Sequence, residues 1–136
     1  MPSELRFVYG MAALAALAGA ASVAGIYYQD SAQARTNAEA MTGGSVRAGQ
    51  AAIERYNCGA CHRIPGIGAA TGVAGPALNG VGTRSFIAGM LPNSPDNLER
   101  WIQHPQQVVP GNAMPDQRVT PRDARDIAAY LYTLRR

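Results

Sequence analysis

Residues Arg55 to His62 read RYNCGACH. This stretch holds both cysteines of the 136-residue chain and one of its two histidines. Side chains of these types at this spacing can do several kinds of chemistry. A Cys58–Cys61 disulfide would close a very small loop and gain little chain entropy. A thiol–disulfide oxidoreductase centre needs a βαβ setting, and no such pattern surrounds the motif. A zinc site needs two further ligands, for which only His104 and carboxylates remain.

The remaining chemistry is covalent attachment. Cys-x-x-Cys-His is the signature of c-type haem attachment. The sulfurs of Cys58 and Cys61 can form thioethers with the two vinyl groups of one haem. Two intervening residues set them at the right separation on a single turn. His62 then lies under the iron and can bind it through a neutral imidazole nitrogen, the other ring N–H needing an acceptor.

The elements that must position this motif are short. Ser45 to Asn57 reads as a helix, with Ser45 as cap and Val46, Gly49, Ile53 and Tyr56 on one face. From Asn57 to Met90 the helical pattern is almost absent and glycines punctuate the chain. A loop that long asks for something other than side chains at its centre, and a bound cofactor would serve. Gly66-Ile67-Gly68 is not a nucleotide loop, because no strand precedes it and the spacing to Gly72 is wrong. A second helix starts at Ser94-Pro95, carries Leu98, Trp101 and Ile102, and stops at His104-Pro105. A last helix starts at Thr120-Pro121-Arg122-Asp123 and lines up Ala124, Ile127, Ala128, Leu131 and Leu134. Strand signals are poor, so the expected class is all-α.

Composition narrows the function. The net charge is +3, from 12 Arg and 9 acidic residues, with no Lys. The Arg are dispersed and no basic groove with interleaved aromatics is visible, which argues against nucleic acid. Phe7 to Tyr28 holds no ionisable residue but Tyr. As a helix it would run about 33 Å at ~1.5 Å per residue, enough for a bilayer core of roughly 30 Å. Residues 1–28 therefore read as a transmembrane anchor, with Tyr9, Tyr27 and Tyr28 at its interfaces. The competing reading is a cleaved export signal ending at Ala32-Gln33-Ala34, although the apolar run exceeds a usual signal core. Either sends the rest across a membrane. Residues 29–44 are polar, small and aperiodic, and read as a flexible linker. Residues 45–136 form the remaining domain.

Several separate motifs stand in a familiar order: Cys58-Gly59-Ala60-Cys61-His62, Gly75-Pro76-Ala77-Leu78, Pro110-Gly111-Asn112-Ala113-Met114-Pro115, and a final helix bearing Tyr130-Leu131. From Val46 to Leu134 the chain resembles a class I c-type cytochrome. Within that class it is most similar to the cytochrome c domain fused to subunit II of some haem–copper oxidases, through Trp101, His104-Pro105 and PGNAMP. The resemblance implies a small fold of three to four helices wrapped around one covalent haem c. It makes Met114 the second axial ligand, and a soft neutral thioether in a proline-stiffened loop suits that role. Met90 and His104 are rival ligands. By resemblance, the Pro76 carbonyl receives the N–H of His62. Trp101 packs on the haem edge or bonds a propionate, or is simply core. Arg55, Arg63 and Arg84 could offset propionate charge. Tyr130 is expected between the first and last helices of the domain. One departure is that Ile53, not an aromatic, follows Gly49, and a looser helix contact is expected there.

With His62 and Met114 both on iron, no coordination position stays open. The expectation is electron transfer, not catalysis, with no small-molecule substrate. The resemblance implies electrons arriving from a cytochrome bc-type complex and leaving toward a terminal oxidase. The haem domain would be periplasmic, on a single-pass anchor in a bacterial inner membrane. Other readings are a haem c subunit of a membrane dehydrogenase, a haem sensor or peroxidase with a labile sixth position, and an exported soluble shuttle.

Overall fold

The computed structural model describes residues 2–136. Helix α1 spans Ser3–Thr42, α2 Val46–Arg55, α3 Pro95–Gln103, α4 Pro105–Val108 and α5 Pro121–Thr133. Two-residue strands, β1 (Phe86–Ile87) and β2 (Leu91–Pro92), pair antiparallel with Ile87 opposite Leu91. The chain divides into two units, one ending at Gln33 and the other running from Ala34 to Arg136.

The all-α expectation is met, and the apolar segment lies in one helix long and apolar enough to cross a membrane. The flexible linker expected over residues 29–44 is not what forms. The helix continues to Thr42. The physical reason is visible in QDSAQARTNAEAMT, which has no Gly or Pro and is rich in good helix formers. Lack of apolar periodicity removed the sign of a buried face, not the ability to be helical. The helix stops at Gly43, whose φ of +67 is the left-handed conformation favoured just past a helix end. Its last turns belong to the second unit: Ala38 and Thr42 are buried, and Glu39 Oε1 accepts the Val46 N–H at 2.9 Å.

In the second unit α2, α3 and α5 make the core. Ser45, Ser94 and Thr120 cap them through side-chain oxygens, with Pro at the first position of α3 and α5. Helix α5 buries Ala124 and every residue from Asp126 to Tyr132. It crosses α2 at Gly49, where an added Cβ would collide with the Asp126 carbonyl. The looser contact expected there does not occur. Ile53 is 1% exposed, and Gly49 lets the two backbones meet directly. Asp126 itself accepts the Ser45 N–H at 2.7 Å, tying the α1–α2 corner to α5.

The glycine-rich span between α2 and α3 is ordered by tertiary bonds rather than by elements. It holds two 3₁₀ turns, Cys58–Ala60 and Val81–Thr83, and the β1–β2 hairpin. Tyr130 reaches beyond the helix pair and donates its hydroxyl to the Pro65 carbonyl at 2.7 Å. Ile64 and Ile67 are buried beneath. Helix α3 ends at Gln103, as His104-Pro105 led one to expect, but Pro105 then opens the single turn α4.

Candidate haem site

Helix α2 ends at Arg55, and Asn57 takes a left-handed φ of 54. That reversal starts the turn Cys58–Ala60, in which Cys61 and His62 both donate N–H groups to the Cys58 carbonyl. The turn lays both thiols and the imidazole along one side of a cleft of about 460 Å³. That volume lies in the usual range for small-molecule sites, roughly 300–1,000 Å³. Cys58 is half-buried and Cys61 exposed, and neither is in a disulfide. Burial pushes the Cys58 thiol above its ordinary pKa. Among the described residues no three His, Cys, Asp or Glu side chains gather as a metal-binding group, so a tetrahedral zinc site lacks its ligands.

His62 is held from two sides. Its Nδ1–H donates to the Pro76 carbonyl at 2.7 Å. Its ring lies flat against Gly75, where an added Cβ would sit 2.5 Å from Cε1 and 2.7 Å from Nδ1. With Nδ1 engaged, Nε2 is the nitrogen left for a metal, and the carbonyl fixes both tautomer and ring plane.

Met114 lines the same cleft, as does Trp101. Met90 and His104 do not line it and are exposed. All six residues singled out by sequence, Cys58, Cys61, His62, Pro76, Trp101 and Met114, therefore surround one cavity. Its walls include Ile53, Ile64, Leu98, Ile127 and Leu131, drawn from three helices and a loop. The half-buried Trp101 indole has no hydrogen-bond partner among the described residues, so its N–H is available to a ligand. Of the three arginines considered, only Arg84 reaches the cleft, and its Nη2 donates to the Ala77 and Asn79 carbonyls at 2.7 and 2.9 Å. Arg55 instead pairs with Asp123 at 2.7 Å.

Sequence reasoning missed the polar residues behind this wall. Asn93 lines the cleft; its Nδ2 donates to the Val81 and Arg84 carbonyls, and its Oδ1 accepts the Tyr132 hydroxyl at 2.9 Å. Burial, with Glu99 nearby, pushes the Tyr132 phenol up to about 12. Gln106 and Asn112 bracket Met114. Nothing in the sequence pattern marks Asn93, whose partner Tyr132 is distant in the chain, or Gln106, whose partners Gly111, Asn112 and Met114 are near in sequence but lie in an irregular loop without periodicity. Asn112, two residues before the methionine, was the one legible candidate.

A cleft lined by two thiols on one turn, a carbonyl-oriented imidazole, a methionine and mostly apolar walls fits a covalently held haem. The cytochrome c family model matches residues 46–135. The chain belongs to the cytochrome c family. Its domain is an electron-transfer module carrying covalent haem c on the Cys58–Cys61 pair. The chain is 40% identical over 88 residues to cytochrome c oxidase subunit 2 of Alkalihalophilus pseudofirmus, which covers 64% of this chain and 25% of that protein. It is 35% identical over 65 residues to cytochrome c oxidase subunit 2 of Bacillus sp. (strain PS3), covering 46% of this chain and 18% of that one. The chain thus spans about a quarter or less of the curated relatives it matches. No solved structure gives a significant match.

Proposed function

We propose that this cytochrome carries single electrons from a cytochrome bc-type complex to a terminal haem–copper oxidase, with His62 and Met114 as its axial ligands. The supporting observation is that these two side chains line one cleft, while the rival donors Met90 and His104 stay outside it. The haem supplies one-electron chemistry. The protein's part is to hold it still and dry. Pro76 and Gly75 fix the His62 ring. The neutral Met114 thioether and the apolar walls disfavour extra positive charge, which raises the potential. Trp101 offers its free N–H to a propionate. With two protein ligands and no vacant position, one electron can enter or leave without ligand exchange.

The direction and partners draw on likeness to parts of two oxidase subunits. Helix α1 would hold the haem domain on the periplasmic side of a bacterial inner membrane, confining its search for partners. Isolation from membranes in mild detergent tests this. The expected outcome is a terminal oxidase accompanying the chain and an intact mass raised by one haem. A co-purifying dehydrogenase instead would make the chain a dehydrogenase subunit. For the ligands, Met114→Ala should abolish the methionine-to-iron absorption band and let the ferrous protein bind carbon monoxide. Carbon monoxide binding by the parent protein would point to an open sixth position and overturn the carrier assignment.

A further inference from the structure

The loop that presents Met114 is held by two amide side chains whose N–H donors and carbonyl oxygens are all engaged within it. Gln106, on α4, donates through Nε2 to the Asn112 carbonyl at 2.9 Å and to the Met114 carbonyl at 2.8 Å. Its Oε1 accepts the Gly111 N–H at 3.1 Å. Asn112 donates through Nδ2 to the Pro105 and Val109 carbonyls at 2.9 and 2.7 Å. Its Oδ1 accepts the Met114 N–H at 2.7 Å. Each amide has two N–H donors and one carbonyl oxygen; both donors of each are used, and each oxygen accepts one bond. Both backbone polar groups of Met114 are engaged by these two side chains. The base is firm, since Pro105 is fully buried.

We infer that Gln106 and Asn112 are positioning residues for the axial methionine: together they fix the Met114 backbone so that its sulfur stays directed into the cleft. The inference rests on the reading of Met114 as second axial ligand. Neither amide needs to touch the haem. Pro110 and Pro115 restrict the ends of this loop, but Gly111 at φ +79 and the residues between it and Met114 keep backbone freedom that the prolines do not remove. The cage removes that freedom before the ligand bond forms. It therefore sets how often the sixth position opens.

The test uses the full haem-loaded chain in detergent and imidazole as a probe for the ferric protein, since imidazole enters only when Met114 leaves. Gln106→Leu keeps the side-chain bulk and removes both donors. It should speed imidazole association about tenfold or more, the scale of losing buried hydrogen bonds, and weaken the methionine-to-iron band. Tyr56→Phe, which loses the bond to Asp123 away from the cleft, should lower thermal stability while leaving imidazole association at the parent rate. Should Gln106→Leu fail to accumulate, Asn112→Ser gives the same reading by weakening the hold on the Met114 N–H. Equal acceleration in Gln106→Leu and Tyr56→Phe at matched stability would show a merely structural role and overturn the inference. If Met114→Ala abolishes the band but Gln106→Leu behaves as the parent, the inference alone fails. If Met114→Ala keeps the band, the ligand assignment fails and the inference with it.

Discussion

At the scale of single residues, the site depends on where side chains are absent as much as on where they are present. Gly75 is the floor on which the His62 ring rests, and no other residue leaves that space. Gly75→Ala should push the ring off the Pro76 carbonyl, destabilising the haem-loaded protein by about 1–3 kcal/mol, the usual cost of overpacking. Denaturant unfolding of parent and variant, followed at the haem absorption, measures this, and an unchanged midpoint would refute the packing argument. The Pro76 carbonyl itself cannot be removed by substitution, so the ring's support is testable only from the glycine side.

At the scale of elements, the ends of helices carry much of the information. Thr120 Oγ1 accepts the Asp123 N–H at 3.2 Å and opens α5. Asp123 then receives the Tyr56 hydroxyl at 2.8 Å and the Arg55 guanidinium at 2.7 Å, joining α2 to α5. The Tyr56 bond first, then Thr120 and Arg55, hold the Asp123 carboxyl below its ordinary value of 3.8. A folded-state pKa depressed in this way adds stability above the unfolded value, and that stability is lost as pH falls through the folded one. The thermal midpoint should therefore drop as pH is lowered from about 5 through 3.8 and below. Asp123→Asn should flatten that part of the curve while lowering the midpoint at neutral pH. A variant curve parallel to the parent's over this range would show that other carboxylates carry the acid sensitivity. The same attention to helix ends explains α1, which passes Gly10, Gly19 and Gly25 and stops where Gly43 takes the left-handed conformation.

At the scale of the whole molecule, the notable property is where charge is absent. Twelve arginines and nine acids are spread over the chain, yet Arg84 is the only Arg, Asp or Glu lining the cleft among the described residues. Its guanidinium is committed to two backbone carbonyls. Phe86, 58% exposed, stands at the same mouth. Electron exchange through this mouth should depend only weakly on ionic strength, since steering by opposed charges needs charges at the contact. Stopped-flow reduction by a soluble cytochrome should change less than about threefold between 10 and 200 mM salt, where charge-steered pairs fall steeply. A steep fall would place the contact on the arginines elsewhere.

The sequence by itself determined the covalent chemistry and the helix starts, because both are local. Cys58, Cys61 and His62 lie within five positions, and the caps at Ser45, Ser94 and Thr120 act over three. Interactions that close within a turn need no knowledge of the rest of the chain. The sequence preferred Met114 through the motif around it, while Met90 also sits near Gly and Pro; the tertiary structure put Met114 and not Met90 in the cleft wall. It decided that Gly49 packs against Asp126 and not loosely, and that Asn93, through its bond to Tyr132, matters at all. Hydrogen-bond partners contributed from distant parts of the chain leave no periodic trace in it, so their effect becomes visible only when the core has brought them together.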